Sequence, residues 1–247
     1  MPSFTRVQGN TGTTATTFTV PVTLGATPTQ GNIVCVVAIT FNNGSNTTPT
    51  CTVADANGKN YTVVGTAVGG FSPTNYNGFV SLAYLLVPAG ASSTITATFS
   101  LSTGGACIFA DEFAPVGGTI SADNHASALD ITGTGLTFSP TIPVSGNPDL
   151  CYVGITTPNG EMISGAPNSP YSTGGAGSVI AQEYSAAYAL GEAANSTPQF
   201  NVIAGGVTYA AAGMSFLITP SSTPTPAVPW VAECEALVIG KVEHRSL

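Results

Sequence analysis

The strongest pattern in the chain is a run of ten mostly apolar residues, 31–40, which begins with Gly-Asn and continues with β-branched side chains. A similar run follows at residues 146–156, where one inserted residue aligns Cys35 with Cys151 and Ile39 with Ile155. Each run is too short for a confident helix. Each therefore predicts a buried central strand that a Gly-Asn turn opens.

Other runs in the first half alternate or are continuously apolar. Residues 16–24 alternate with period two, which places Phe18, Val20, Val22 and Leu24 on one face. Pro21 indicates an edge position for this strand. Residues 1–15 are polar and indicate an arm or a first edge strand. The runs at 16–24 and 31–40 predict two strands of the first half. Five more are predicted at residues 51–54, 61–68, 79–87, 94–99 and 106–113, which makes seven.

The second half repeats much of the first. Residues 136–144 resemble the alternating strand, and residues 179–190 match 79–87, with Ala187-Tyr188 on Ala83-Tyr84. Residues 179–190 could be helical by propensity, but their place in the repeat predicts a strand. The fold class expected is all-β: an antiparallel, jelly-roll-like β-sandwich, internally duplicated. Two sandwiches side by side and one merged sandwich with two-fold pseudo-symmetry both fit.

Three regions follow from this pattern. Residues 1–117 form a first sandwich unit, residues 118–220 form a second that repeats it, and residues 221–247 form a Pro-rich linker and an extended C-terminal tail. The Pro-rich run 220–229 predicts polyproline II with a reach of about 30 Å. Beyond it, residues 236–242 are a short apolar strand candidate.

We hypothesise that the tail adds a strand to a neighbouring subunit or packs on it, the alternative being that it folds back on its own domain. The candidate interface residues are Trp230, Leu237, Val238, Ile239 and Val242.

Charge excludes two classes of partner. The formal net charge is −8, and the four basic residues are Arg6, Lys59, Lys241 and Arg245. Nucleic-acid binding and polybasic membrane contact both need clustered Lys and Arg, so neither is expected. Charged residues make up only 6% of the chain, against a usual share of about 25%. A surface so poor in charge lacks the usual protection against edge-to-edge association, which predicts that an assembly covers much of it.

The sequence indicates neither a membrane span nor an ordinary secretory signal. No run approaches the roughly 18–20 continuous apolar residues of a span, and residues 1–10 have no apolar signal core. The composition is typical of an extracellular β-protein, yet an export signal is absent. This combination favours a virion protein made in the host cytoplasm.

Five cysteines are scattered without a CxxC spacing, and with only two histidines the chain offers no clustered zinc ligands. Cys35, Cys107 and Cys151 lie in apolar runs, where a thiol behaves as a small hydrophobe. Buried free thiols are therefore expected, and the best candidate for a disulfide is Cys35–Cys51.

Two polar motifs are candidate functional sites: residues 55–60 and the pair Asp111-Glu112. Residues 55–60 contain Asn-Gly between alternating runs, which predicts a hairpin turn; the alternative of a calcium loop lacks the Gly and acidic positions of an EF-hand. Asp111 and Glu112 are neighbours in a strand and point to opposite faces, so they do not converge on one substrate. We expect one to be solvated and the other to be bonded to a turn.

No catalytic residue, metal ligand or cofactor site is predicted. His125 lies in an expected polar loop within the polar stretch 120–131, His244 lies in the tail, and neither accompanies a recognisable nucleophile. Both are expected to be surface residues. Three aromatic residues are candidate exposed binders, Phe71 and Tyr76 in an expected loop at 69–78 and Tyr171 in a Gly/Pro-rich stretch.

With these residues in view, region 16–220 resembles a loose group of phage and bacterial β-sandwich proteins found among virion surface, tail and adhesin-like proteins. The motifs that carry the resemblance are Gly31-Asn32 before an apolar strand, VADANGKNYT at 53–62, Ala83-Tyr84, Ala89-Gly90-Ala91, and Asp111-Glu112-Phe113. The resemblance implies a sandwich fold and carries over no catalytic residues.

The expected function is a non-enzymatic phage structural protein, a capsid decoration or tail-associated protein. Its expected partners are further copies of itself and other virion proteins. The alternative is a carbohydrate-binding or host-adhesion module, which would need Phe71, Tyr76 and Tyr171 to face solvent and could bind a host-surface glycan.

Overall fold

The computed structural model describes residues 3–14, 18–43, 49–71, 76–101, 104–130, 137–138, 149–158, 171–178, 182–191, 200–201 and 209–221. Within them no helix is long and apolar enough to cross a membrane. The regular elements are strands: β1 Ser3–Thr14, β2 Thr19–Thr23, β3 Ile33–Asn43, β4 Cys51–Asp55, β5 Thr62–Phe71, β6 Tyr76–Leu86, β7 Thr94–Phe99, β8 Gly105–Val116, β9 Gly118–Asp130, β10 Thr137–Phe138, β11 Leu150–Pro158, β12 Ser172–Ser178, β13 Gln182–Leu190, β14 Phe200–Asn201 and β15 Tyr209–Pro220.

The strands form three sheets and one short pair, all antiparallel. The central sheet has the order β1-β8-β3-β6-β5, the small sheet β2-β7-β4, and the outer sheet β12-β13-β11-β15-β9, while β10 pairs with β14. Strands β1–β8 supply the central and small sheets, and β9–β15 supply the rest. The prediction of an all-β antiparallel sandwich is confirmed.

The central sheet is buried on both faces. Along β3, Val34 and Val36 pack against the small sheet in one apolar core. Ile33 and Val37 pack against the outer sheet in the other core. This explains why β3 is continuously apolar rather than alternating, since both faces of its pleat are covered. Each fully buried Val, Ile or Phe contributes roughly 1.5–3 kcal/mol.

Aromatic rings join the central sheet to the outer sheet. Phe113 of β8 contacts Tyr152 and Tyr188 edge-on, at centroid distances of 6.0 and 5.3 Å. Phe109, four residues earlier on β8, packs on Tyr184 at 5.5 Å. Such geometry adds to the area that the rings bury, so this interface is held by packing as well as by burial.

The two large sheets share one strand order. The central sheet read from its first strand is β1-β8-β3-β6-β5, and the outer sheet read from its first strand is β9-β15-β11-β13-β12. Across the interface β5 packs on β9 and β15, and β1 packs on β12 and β13. β1 therefore lies against β12, the fifth strand in the order of the outer sheet. In the same way β9 lies against β5, the fifth strand in the order of the central sheet.

The register corrects the sequence alignment of the two apolar runs by one residue. Ile33 pairs with a leucine of β6 and a phenylalanine of β8, and Leu150 pairs with a leucine of β13 and a phenylalanine of β15. Counted from these positions, the equivalent of Cys35 is Tyr152, not Cys151. A shift of one residue turns a strand's side chains to the other face, so Cys35 and Cys151 point to opposite sides of their sheets.

Several predicted boundaries were wrong. The polar stretch 120–131 lies mostly in strand β9, and the expected loop 69–78 is largely the end of β5 and the start of β6. Phe18 precedes β2 and is 52% exposed, whereas Val20, Val22 and Leu24 are buried. Residues 179–190 were correctly predicted as strand, since β13 spans Gln182–Leu190.

The outer sheet lies close to the central sheet at Gly154. A Cβ atom built there would lie 2.3 Å from Val37 Cγ1 and 2.9 Å from Val37 Cγ2. No side chain fits without movement of β3 or β11. The contact therefore requires glycine at position 154 of the outer sheet, because the side chain of Val37 on the central sheet fills the space.

Gly154→Ala is expected to destabilise the protein by about 1–3 kcal/mol, because the added methyl overpacks the interface. Val37→Ala removes both γ carbons and is expected to recover much of that loss in the double variant. The measurement is urea unfolding of the four chains in a double-mutant cycle.

Gly25→Ala is the matched control, because a Cβ at Gly25 would meet only Gln8 Oε1 at 3.6 Å. It should leave stability nearly unchanged. Additive effects of Gly154→Ala and Val37→Ala would contradict the proposed contact.

Candidate functional site

Two adjacent carboxylates of β8 are fully buried. Asp111 is 1% exposed and Glu112 is 0% exposed. Side chains alternate along β8, so Asp111 lies on the face toward the outer sheet and Glu112 on the face toward the small sheet. The prediction that they point apart is confirmed. The prediction that one is solvated was wrong, because the sandwich covers both faces of β8.

Asp111 is the centre of a polar network between the two large sheets. The Nε and Nη2 atoms of Arg6 lie 2.7 and 2.6 Å from Asp111 Oδ1. The hydroxyl of Tyr152 donates to Asp111 Oδ2 at 2.6 Å. The Arg6 guanidinium also lies 5.5 Å from the centroid of the Tyr188 ring. Arg6, Asp111 and Tyr152 thus connect strands β1, β8 and β11.

Glu112 forms hydrogen bonds to the turn that precedes β3, near the same edge of the central sheet. Its Oε1 accepts hydrogen bonds from the Thr29 backbone N–H at 2.8 Å and from Asn32 Nδ2 at 2.6 Å. Its Oε2 accepts one from Gln8 Nε2 at 2.5 Å. This gives the Gly-Asn opening of β3 a second role, since the Asn32 side chain is a partner of Glu112.

A β-bulge at Val7 lets β1 reach both carboxylates. The register with β8 shifts between Arg6 and Gln8, and Val7 is left 50% exposed. In a regular strand, residues two apart share a face. The extra residue turns Gln8 to the face opposite Arg6, so each side chain meets a different carboxylate.

Gly9 leaves the space that the Asp111 carboxylate occupies. A Cβ atom on Gly9 would lie 2.0 Å from Asp111 Oδ1 and 2.3 Å from Arg6 Nη2. The sequence reasoning did not single out Arg6, Gly9 or Tyr152. A signal for Arg6 was available: a carboxylate inside an apolar strand needs a positive partner, and the chain has only four Lys and Arg residues.

Burial dominates the acid–base behaviour of Asp111. It raises the pKa of this carboxyl above its ordinary value, and the Tyr152 hydrogen bond and the Arg6 charge offset only part of the rise. Burial also disfavours the charged guanidinium of Arg6, but the charge and hydrogen bond of Asp111 outweigh this and raise the pKa of Arg6. Burial has a larger effect on the pKa of Asp111 than on that of Arg6, because the Arg6 side chain keeps 30% of its exposure while Asp111 keeps 1%.

Four cysteines are buried free thiols, as predicted: Cys35, Cys51, Cys107 and Cys151. The candidate Cys35–Cys51 disulfide was wrong, because these residues belong to the cores on opposite faces of the central sheet. Burial raises the pKa of Cys51 and of Cys151 to about 12. Because the thiolate is the reactive form, these side chains are chemically inert at neutral pH.

Residues 55–60 form the predicted turn, and Asp55 closes it. Asp55 Oδ1 accepts from the backbone N–H groups of Asn57 and Lys59, each at 2.9 Å, and Oδ2 accepts from that of Ser92 at 2.7 Å. A calcium ion would need this carboxylate as a ligand, but backbone N–H groups already bind both of its oxygens. The turn is not part of a long hairpin, however, because β4 belongs to the small sheet and β5 to the central sheet.

The three candidate aromatic binders do not form one surface. Tyr171 is 7% exposed, which corrects the expectation that it faces solvent. Burial and then the neighbouring Cys151, to which it is hydrogen-bonded, raise its pKa. Phe71 and Tyr76 are the last paired residues of the β5–β6 hairpin.

A small cavity of about 30 Å³ lies at the rim between the central and outer sheets. Tyr84 and Phe216 line it together with Asp123, His125 and Ser215. Ser215 Oγ donates to Asp123 Oδ2 at 3.0 Å. The cavity is about the size of one water molecule. His125 is exposed as predicted, but it lies in strand β9 rather than in a loop.

Other predicted positions fall outside the described residues: His244 and the tail interface of Trp230, Leu237, Val238, Ile239 and Val242. In the part of the chain that the structure describes, no group of three or more His, Cys, Asp or Glu residues could hold a metal ion.

A scan against protein-family models found no match, and searches of the curated proteins and of the solved structures found none either. Asp111 and Glu112 tie strands together from inside the fold, and their oxygens are engaged by the protein itself.

The Asp111 network predicts a pH dependence of stability. An unfolded aspartate titrates near its ordinary pKa, whereas folded Asp111 holds its proton to higher pH. Between these two values the folded state binds more protons, so this group's contribution to the free energy of unfolding falls as pH rises. We expect wild type to lose stability relative to Asp111→Asn through this window.

The measurement is urea unfolding of both chains across a pH series, because their difference cancels the other titrating groups. The difference should be flat below the ordinary aspartate pKa and above the raised one. A wild type that gains stability relative to Asp111→Asn with rising pH would contradict the assignment.

Proposed function

We propose that this chain is a non-enzymatic structural protein of a bacteriophage virion, a capsid decoration or tail-associated protein that assembles through strand edges and its C-terminal segment. The observation that carries the proposal is the character of its sheet edges. β1 and β5 are the edges of the central sheet, and β9 and β12 are the edges of the outer sheet.

These edges lack two of the usual residues that block pairing with another chain, lysine and proline, although the register of β1, β5 and β12 shifts at a bulge or irregularity. Soluble proteins place lysine, proline or other blocking features on exposed edges. The four edge strands of the two large sheets contain no lysine and no proline, and β5 and β12 contain no charged residue. In the small sheet, edge strand β2 contains Pro21. The positive charge of β1, Arg6, is engaged by Asp111. An edge of this kind favours backbone pairing with a neighbour.

The shared strand order supports an internal duplication. Two units with the same order, packed first strand against fifth position, correspond to a two-fold relation. A subunit built this way presents its edges in related pairs, and each can meet a neighbour in the same manner. We infer that the two units arose from one repeated, jelly-roll-like unit, and that the partners are further copies and other virion proteins.

The C-terminal segment is the proposed second assembly element. β15 ends at Pro220, where the Ser221 N–H donates to Gly117 O at 3.2 Å. The chain therefore leaves the outer sheet beside the junction of β8 and β9. The apolar run 236–242 with Trp230 would then pack on a neighbouring subunit.

A host-adhesion role is the second candidate, and one observation favours it. Phe71 and Tyr76 are the last residues paired in the register of β5 and β6. Two aromatic residues at paired positions are of the type that sugar-binding surfaces use. A glycan array that returns a specific sugar, lost in Phe71→Ala, would support this role over the structural one.

The structural role predicts that the full chain is oligomeric in solution and that a chain ending at Ser221 is not, or forms a smaller assembly. The reason is that strand edges alone bury little apolar surface. Multi-angle light scattering of both chains measures this, and circular dichroism checks that the shorter chain keeps its strands.

A monomer in both forms at high concentration would count against assembly. Loss of the β-sheet signal in the shorter chain would show instead that the segment belongs to its own fold.

A further inference from the structure

We propose that β1 is exchangeable between copies: the edge of β8 that accepts β1 of its own chain also accepts β1 of a second copy. This inference rests on the proposed assembly function and names its site and its partner. The exchanged strand would be held by the same contacts, Arg6 to Asp111 and Gln8 to Glu112.

Little of β1 is buried. Phe4 is the one residue of β1 that is buried, whereas nine consecutive residues of β8, 105–113, are buried. β1 is attached by its backbone ladder and by polar side chains. Water can replace polar contacts when the strand leaves, but it cannot replace apolar packing.

The edge of β8 selects its partner strand. Its edge presents one buried carboxylate toward each face, so an incoming strand must supply donors on both faces at neighbouring positions. β1 does so through the bulge at Val7, and Gly9 leaves room for the Asp111 carboxylate. Among the strands of the structure, β1 is the one that contains an arginine. The chain that matches this edge is therefore a second copy of β1.

The connection from β1 to β2 also permits exchange. β1 pairs with β8 in the central sheet, but the next strand, β2, belongs to the small sheet. Val20 and Val22 hold β2 in the core of that small sheet. β1 can therefore leave β8 without displacing any other strand of the central sheet.

The test mixes two full-length variants that each add one cysteine to the five native ones, a tagged Thr5→Cys chain and an untagged Ala114→Cys chain. Thr5 and Ala114 are paired residues of β1 and β8, and Thr5 is exposed. A disulfide between position 5 of one chain and position 114 of the other forms only if β1 of the first lies on β8 of the second. The chains are co-refolded at high concentration and oxidised, and the heterodimer is identified by non-reducing electrophoresis and peptide mass spectrometry.

The proposal predicts a 5–114 heterodimer whose yield falls about tenfold when Arg6→Ala is added to the tagged chain, a loss of about 1.4 kcal/mol of binding. Thr13→Ala, at an exposed position of the same strand, is the control and should leave the yield unchanged. Arg6→Lys, which keeps the charge, should restore part of it. If Arg6→Ala does not refold, the comparison of Arg6→Lys with Thr13→Ala decides the role of Arg6.

Absence of the 5–114 disulfide, while light scattering still finds oligomers, would overturn strand exchange and leave the proposed assembly function standing. Its absence together with a monomer at every concentration would overturn both. A heterodimer that forms equally well with Arg6→Ala would overturn the claim that the carboxylates select the strand.

Discussion

The interaction on which the rest of the structure depends is the burial of the Asp111 carboxylate between two sheets. A charge with 1% exposure is tolerated only when its oxygens are engaged, and here Arg6 of β1 and Tyr152 of β11 engage them. The requirement reaches across three strands of two sheets. It explains the bulge at Val7, which separates the donors for Asp111 and Glu112. A buried ion pair is weak evidence for net stability, but it specifies register, because a slip of one residue would carry Arg6 to the other face.

Around this network the molecule is a stack in which the central sheet has no solvent face. The small sheet covers one side and the outer sheet covers the other, so the apolar strands β3 and β8 are enclosed. The small sheet turns Thr19, Thr23 and Thr52 to solvent. The far face of the outer sheet is also buried at Cys151, Val153 and Ile155. Since charged residues are only 6% of the chain, edge pairing meets little electrostatic opposition. The architecture therefore favours contact by backbone pairing over recognition of a charged partner.

β1 connects the fold to the proposed function. It is an edge strand with one buried residue, it supplies a donor to each of the two buried carboxylates, and it leads into a strand of a different sheet. The buried carboxylates of β8 need the donors of this strand, but few of the strand's own side chains are buried. The same polar chemistry that fixes its register makes it replaceable by an identical strand, because the contacts are specific while the apolar attachment is small.

The sequence by itself determined the class of fold, the main strands and the buried thiols. The reason is that β-branched runs, period-two alternation and Gly-Asn turns act locally. The tertiary structure alone decided which side of a sheet each residue faces. Cys35 and Cys151 align in sequence yet point to opposite sides, and Tyr171, in a Gly/Pro-rich stretch, is buried. It also decided that Asp111, with no marked partner in the sequence, meets Arg6 from 105 residues away and Tyr152 from 41. Such partners depend on how sheets stack, and no local pattern records that stacking.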